Sequence, residues 1–108
     1  KQVEALWAKR AFAEAEAALR PVVAEYTDSS AALYQLAITL QLQNRCKEAV
    51  PFYDLALAKG YAEFWVRFNR GSCYASLEQG EAARQDLVRA RELRKDHDGV
   101  NQLIRKLR

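Results

Sequence analysis

The sequence predicts an all-α fold of antiparallel helix-turn-helix repeats, and two observations carry this prediction. Ala, Leu, Glu, Arg and Gln dominate the composition and no run of β-branched residues interrupts them, which favours helix throughout. A frame of small and large apolar residues also recurs with no slip in spacing, and its 34-residue period is typical of stacked helical hairpins. The frame pairs Ala37 with Gly71, Leu40 with Tyr74, Ala49 with Ala83, Tyr53 with Leu87 and Ala56 with Ala90.

The same frame divides the 108 residues of this single predicted domain into four parts. Residues 30–63 and 64–97 are two complete repeats. Residues 1–29 form a partial repeat that has lost the start of its first helix. Residues 98–108 form a capping helix, because stacked repeats need one to cover the apolar face of the last hairpin.

The two ends of the chain carry different helical signals. The C-terminal segment has an amphipathic stripe with the spacing i, i+3, i+4 and i+7, formed by Val100, Leu103, Ile104 and Leu107. Residues 1–26 are predicted to be helical. The sequence leaves open whether they form one long helix or two helices separated by a turn near Arg10 and Ala11.

These residues resemble the tetratricopeptide repeat family, whose 34-residue unit runs W-x2-L-G-x2-Y, then A-x3-F-x2-A, then P. Residues 64–97 match it at Asn69, Arg70, Gly71, Tyr74, Ala83, Leu87 and Ala90. Residues 30–63 match it at Leu33, Leu36, Ala37, Leu40, Ala49, Tyr53 and Ala56. The resemblance implies a short right-handed α-solenoid, in which the first helices of successive repeats line a concave groove for an extended peptide or a partner helix.

Five positions depart from the family pattern, and two of them, Tyr61 and Lys95, replace its terminal Pro. Arg67 and Arg70 stand where the family prefers Trp and Leu, and we expect their stems to pack while their charged heads reach water. Glu78 stands at the place of the usual turn glycine, two residues before Gly80. None of these departures breaks the frame of small residues.

Helical spacing indicates which side chains point into the implied groove. They are Tyr34, Gln35, Ile38 and Gln41 from one repeat and Trp65, Phe68, Asn69 and Ser72 from the next. Aromatic side chains on a face that the core does not require usually mark a contact site. The alternative is that the N-terminal segment or the C-terminal helix folds over them.

The groove also indicates the chemistry of its ligand. Family members that hold the carboxylate tails of heat-shock chaperones use a set of Lys, Arg and Asn side chains, and only Asn69 matches that set. We therefore expect a ligand bound by apolar side chains and amides rather than an acidic tail.

The function predicted on this basis is a protein-interaction module with a protein or peptide partner. We expect no enzyme activity, cofactor, metal or small-molecule substrate, and self-association into a homo-oligomer stays open. Because the chain has no Met, we expect it to be a segment of a larger protein. Two alternatives are a small escort of secreted proteins and the non-catalytic repeat segment of a bacterial glycosyltransferase-type enzyme.

The distribution of charge argues against a nucleic-acid partner. The formal net charge is +3, and the whole excess lies in residues 81–108, which hold eight basic and five acidic side chains. The two signs are interleaved, as is typical of a solvated helix face. Nucleic-acid-binding surfaces show a purer basic stripe.

The remaining sequence features are two cysteines, one histidine and the lack of a long apolar run. Cys46 and Cys73 show neither a CxxC nor a zinc-finger spacing. We expect small, buried free thiols in a reducing compartment, and a disulfide or a reactive thiol is the alternative. We expect His97 to be a solvated surface residue. No apolar run approaches the ~20 residues that span a bilayer, and we expect a cytoplasmic protein.

Overall fold

The computed structural model describes residues 2–107, and this part of the chain contains helices and turns but no strand. Its helices are α1 (Gln2–Ala8), α2 (Phe12–Glu25), α3 (Ser30–Leu42), α4 (Cys46–Ala58), α5 (Glu63–Ser76), α6 (Gly80–Leu93) and α7 (Asp98–Lys106). The predicted all-α class is therefore confirmed. Each helix packs mainly against its neighbours in the chain, so the polypeptide folds as a series of consecutive helical hairpins.

The N-terminal region forms two helices rather than one. Helix α1 ends at Ala8 and α2 begins at Phe12. Arg10 between them has a φ of 61°, in the left-handed region, which cannot continue a right-handed helix. The question that the sequence left open is therefore answered by a turn at this position.

The turn between α1 and α2 has the same backbone conformation as two later turns. Arg10, Asn44 and Glu78 each have a φ of 61°, and the intervals between them equal the period of the sequence frame. In each turn the next residue donates a backbone hydrogen bond to the fifth residue before it, at 2.8–3.0 Å: Ala11 to Leu6, Arg45 to Leu40 and Gln79 to Tyr74. The chain thus repeats its backbone geometry with the same period as its sequence pattern.

Small residues recur because paired helices approach each other closely. Ala15, Ala49 and Ala83 are fully buried at equivalent positions of α2, α4 and α6. Gly71 of α5 lies so close to α6 that a Cβ atom there would be 2.9 Å from Cγ of Leu87. A larger side chain would require the helices to move apart.

Helix α7 covers the end of the α5–α6 hairpin. Val100 is fully buried and packs with Phe64 of α5 and Ala90 of α6. Phe68 and Ile104 pack at the edge of this cluster and are half-buried. The amphipathic stripe of the C-terminal segment therefore faces the hairpin.

The charged heads of Arg67 and Arg70 are only partly in water, because both also bind a buried carboxylate. Arg70 donates two hydrogen bonds to the Asp86 carboxylate, from Nε at 2.8 Å and from Nη2 at 2.7 Å. Arg67 Nη1 donates a third at 3.1 Å. Asp86 is 2% exposed, and its carboxylate raises the pKa of Arg70. We call these three residues the Asp86 triad.

The expectation of free thiols was wrong, because Cys46 and Cys73 form a disulfide. Cys46 is the first residue of α4 and Cys73 lies in the second half of α5, and the packing of these helices brings their Cα atoms to 5.2 Å. The spacing of the two cysteines carries no sequence signal for this pairing, since the bond arises from contact between two adjacent hairpins. The disulfide links the predicted repeats 30–63 and 64–97.

Candidate functional site

The eight residues predicted to contact a partner lie on two helices, four on α3 and four on α5, and we call them the α3/α5 face. They are Tyr34, Gln35, Ile38 and Gln41 on α3 and Trp65, Phe68, Asn69 and Ser72 on α5. Trp65 is 41% exposed, and the other seven are half-buried. None belongs to the fully buried core, so all of them keep some surface for contact.

Tyr34 and Asn69 connect the two helices of this face. The Asn69 side-chain amide donates to Tyr34 Oη and to the Trp65 backbone carbonyl, both at 3.0 Å. The Tyr34 ring also contacts the rings of Tyr61 and Tyr53, with centroid distances of 5.4 and 6.1 Å. Burial raises the pKa of Tyr34, so its phenol stays neutral. The hydrogen bond between Asn69 and Tyr34 therefore links α5 to α3 one helical turn beyond Trp65.

Other polar groups of the face remain unbonded. Among residues 2–107, the side chains of Gln35 and Ser72 form no hydrogen bond, and Asn69 Oδ1 accepts none. Ile38 packs at the edge of the main core and keeps part of its surface. Donors and acceptors are therefore available beside apolar surface.

Gln41 lies apart from the other seven residues. It is seven residues beyond Tyr34, about 10 Å further along α3. Its side-chain oxygen accepts a hydrogen bond from Tyr53 Oη at 2.5 Å, which commits it to the interior of its own hairpin. The structure therefore places Gln41 near the α3–α4 turn, away from Trp65 and Asn69.

Four ring side chains form an aromatic cluster at the other end of the α3/α5 face. Phe64, Trp65, Phe68 and His97 have ring centroids between 4.9 and 6.1 Å apart. The Arg94 guanidinium lies 4.9 Å from the Phe64 centroid and 5.6 Å from that of Trp65. Cations are attracted to such ring faces. The sequence pattern indicated a solvated helix face for Arg94, because nothing in it locates the end of α6 over α5.

His97 is not the solvated residue that we expected. It is half-buried in the aromatic cluster, and its Nδ1 accepts a hydrogen bond at 3.3 Å from the backbone amide of Val100. The ring therefore caps the N-terminus of α7, in the way that Ser or Asp usually does. This cap fixes the start of α7 against Phe68 and Trp65.

Phe68 and Trp65 differ in how far the rest of the chain covers them. Phe68 is packed against the cluster that contains Val100 and Ile104, so the C-terminal helix covers part of it. Trp65 keeps 41% of its surface exposed although His97 and Arg94 contact its ring. Trp65 is thus the large aromatic residue of the face that remains open to a partner.

A recess of about 440 Å³ lies at the opposite end, beside the disulfide. We call it the disulfide recess. It is lined by Gln41, Asn44, Arg45, Cys46, Lys47, Glu48, Ser76 and Leu77. Gln41 also belongs to the α3/α5 face, and helical spacing directs Ser76 toward the same predicted groove. The other residues were not predicted as a site, because the recess forms only where the α3–α4 turn meets the end of α5.

Residues 2–107 contain no group of three His, Cys, Asp or Glu side chains placed to hold a metal ion. In the same part of the chain, no helix combines the length and the apolar character needed to cross a membrane. The side chains at the α3/α5 face are aromatic, aliphatic, amide and hydroxyl groups, which suit binding by packing and hydrogen bonds.

No protein-family model matches the chain, and no curated protein matches it significantly. The likeness to tetratricopeptide repeats therefore depends on the motif residues and on the period of the frame.

Proposed function

We propose that the chain is a protein-interaction module of the tetratricopeptide type. In this proposal the hairpins stack as a short right-handed α-solenoid, and the α3/α5 face binds an extended peptide or a partner helix. The turn conformation that recurs at Arg10, Asn44 and Glu78 supports the repeat arrangement. The binding proposal depends above all on Trp65, which is 41% exposed beside bonded Asn69 and Tyr34. Large, rigid aromatic side chains of this kind dominate protein interfaces.

The side chains of the α3/α5 face beside Trp65 are uncharged, which favours a ligand segment that is neutral and has apolar side chains. An extended peptide offers backbone N–H and C=O groups, which Asn69 Oδ1, Gln35 and Ser72 can bond. An apolar side chain of the peptide can pack against the open part of the indole ring and against Ile38. Small-molecule substrates, cofactors, metals and nucleic acids form no part of this proposal, and neither does catalysis.

Two larger settings remain alternatives for the same face. An escort of secreted proteins would bind an unfolded segment of its client there, and a bacterial glycosyltransferase-type enzyme would carry the repeats as a non-catalytic segment. The sequence of the full-length gene distinguishes these settings. Neither changes the residues that would contact the partner.

The disulfide bears on where the module works. Disulfides persist in oxidising compartments and are rare in the cytosol. We propose that Cys46 and Cys73 are oxidised where the protein acts, and the cytoplasmic location predicted from sequence remains the competing hypothesis. Alkylation of free thiols in intact cells, before lysis, separates the two: unmodified cysteines support the oxidised form, and two alkylated cysteines support the cytoplasmic prediction.

The experiment that tests the binding proposal is selection from a random peptide library, followed by backbone amide NMR of the domain with the selected peptides. Shift changes on the α3/α5 face around Trp65 and Asn69 would establish the site and its ligand class. Changes confined to another face would contradict it. The same conclusion would follow if no peptide were selected and Trp65 were already protected in the free protein.

A pair of alanine variants separates binding from folding. Trp65→Ala should weaken peptide binding by about 30-fold, the size typical of a central aromatic contact, while the melting temperature changes little. Leu55→Ala is the matched control, because Leu55 is an exposed apolar residue on α4, outside the face. Equal affinities for the two variants would refute the role of Trp65.

A further inference from the structure

One of the two bonded cysteines lines the disulfide recess, and the other does not. Cys46 is a wall residue of the recess and is 9% exposed, whereas Cys73 is fully buried and is not part of the wall. Thiol–disulfide exchange begins with attack of a thiolate on one sulfur atom, and access decides which sulfur is attacked. An incoming thiol in this recess therefore meets Cys46 first.

The size and chemistry of the recess suit a small polar molecule. Its volume of about 440 Å³ falls within the range of roughly 300–1,000 Å³ found for small-ligand sites. Asn44 and Ser76 supply hydrogen-bonding side chains along its wall. The recess is thus large enough for a thiol of several heavy atoms with polar substituents.

The charges around Cys46 favour an anionic thiol. Cys46 is the first residue of α4, whose N-terminus carries a partial positive charge. Arg45 is committed to Glu16 and Glu48, both at 2.8 Å. Lys47 forms no ion pair within residues 2–107, so its charge is available to a ligand. Lys47 therefore supplies the net attraction at the recess.

We propose that Cys46 is a thiol-exchange site that accepts low-molecular-weight acidic thiols of the glutathione class. The incoming thiol loses its proton, and its thiolate forms a bond to Cys46 Sγ as the Cys46–Cys73 bond breaks. Cys73 leaves as a thiolate and takes up a proton. A second molecule of the same thiol then releases Cys46 and leaves as the small-molecule disulfide, so two thiols are oxidised for each protein disulfide reduced.

Exchange at Cys46 removes the covalent link between α4 and α5. These helices belong to adjacent hairpins, and α5 carries Trp65 and Asn69 of the α3/α5 face. The bond from Asn69 to Tyr34 spans the same two hairpins. The mixed disulfide therefore adds a bulky group at one end of the hairpin interface and frees the hairpins to separate slightly.

The test treats the full wild-type chain with reduced glutathione in the absence of denaturant, quenches with acid and maps the adduct by peptide mass spectrometry. We expect the glutathione adduct on Cys46, with a rate proportional to thiol concentration and unaffected by low urea. An adduct on Cys73 would overturn the proposal. A rate that rises steeply with sub-denaturing urea would do so too, because attack would then require unfolding. This test needs no mutation.

A charge variant tests the specificity. Lys47→Gln should slow exchange with glutathione by up to about fivefold relative to exchange with cysteamine, a cationic thiol, since one nearby charge in water is worth about that factor. Lys95→Gln, outside the recess, is the matched control and should leave the ratio of the two rates unchanged. Equal ratios for wild type and both variants would overturn the preference for acidic thiols.

Discussion

The contribution of the Asp86 triad to stability can be tested by comparison with the preceding hairpin, which has apolar residues at the equivalent positions. The positions one repeat upstream of Arg67, Arg70 and Asp86 hold Leu33, Leu36 and Phe52. The two leucines are fully or almost fully buried, and Phe52 packs against their cluster. One hairpin thus has charged side chains where its neighbour has apolar ones. Replacing Asp86 measures how much the free energy of unfolding depends on the partner of the two arginines.

The magnitude follows from the partners that remain after Asp86→Ala. Removing one member of a buried ion pair costs about 3–5 kcal/mol, because the other charge stays out of water without a counter-ion. Here each guanidinium keeps a second carboxylate, since Arg70 binds Asp54 at 2.8 Å and Arg67 binds Glu63 at 3.0 Å. We therefore expect a loss of about 3 kcal/mol, at the low end, and a fall in Tm of about 10–20 °C.

The second half of the test replaces all three residues at once. Arg67→Leu with Arg70→Leu and Asp86→Phe copies the upstream hairpin and removes every charge that needs a partner. Since buried ion pairs are often replaceable by apolar residues at no net cost, the triple variant should unfold within about 1 kcal/mol of wild type or at higher stability.

The assay is urea unfolding followed by circular dichroism, with the disulfide kept intact. The Asp86→Ala loss should persist in high salt, because buried charges are screened much less than exposed ones. A loss below about 1 kcal/mol would mean that the triad behaves as a surface pair. A triple variant as unstable as Asp86→Ala would refute the equivalence of the two hairpins.

Two further predictions concern the helix contact and acid stability. Gly71→Leu should lower the free energy of unfolding by about 1–3 kcal/mol through overpacking against Leu87, whereas Gly80→Ala, with no atom within 4 Å, should leave it unchanged or slightly higher; equal melting curves would refute the close contact. A hydrogen bond from Arg45 lowers the pKa of Glu16 from 4.5 to about 2. Because the folded pKa lies below the unfolded one, this carboxylate stabilises the fold above pH 4.5 and loses that effect as the pH falls toward 2. Glu16→Gln should flatten the loss of stability in that window, and parallel wild-type and variant curves would contradict the assignment.

The helices were predictable because close packing imposes a pattern on sequence. A position such as Gly71 tolerates only small residues, and its partner Leu87 must be apolar, so both leave a trace that repeats with the hairpin. The eight residues of the α3/α5 face follow from the same periodicity. Their placement on α3 and α5 required only the helical repeat and the register of the two hairpins.

The polar and covalent contacts between helices were not predictable in the same way. Asp86 lies 16 and 19 residues from its two arginines, and the sequence shows three charges without showing that they meet. The Cys46–Cys73 bond depends on how one hairpin packs against the next, and the contact of His97 with Trp65 depends on how α7 packs against α5. Such contacts leave no periodic trace, since each occurs once in the chain.

The three matching turns show that helix packing, and not local backbone preference, determines where each hairpin turns. Left-handed φ costs a non-glycine residue roughly 1–2 kcal/mol, and only Asn and Asp reduce that cost by local hydrogen bonds. Arg10, Asn44 and Glu78 nevertheless adopt the same φ of 61°, although Gly80 stands only two residues from the third of them. Local preference would have moved the turn to the glycine. The turn lies at a fixed sequence distance from the small residues that let the two helices approach. Packing therefore selects the turn position, and the residue at that position adopts a left-handed φ whatever its type.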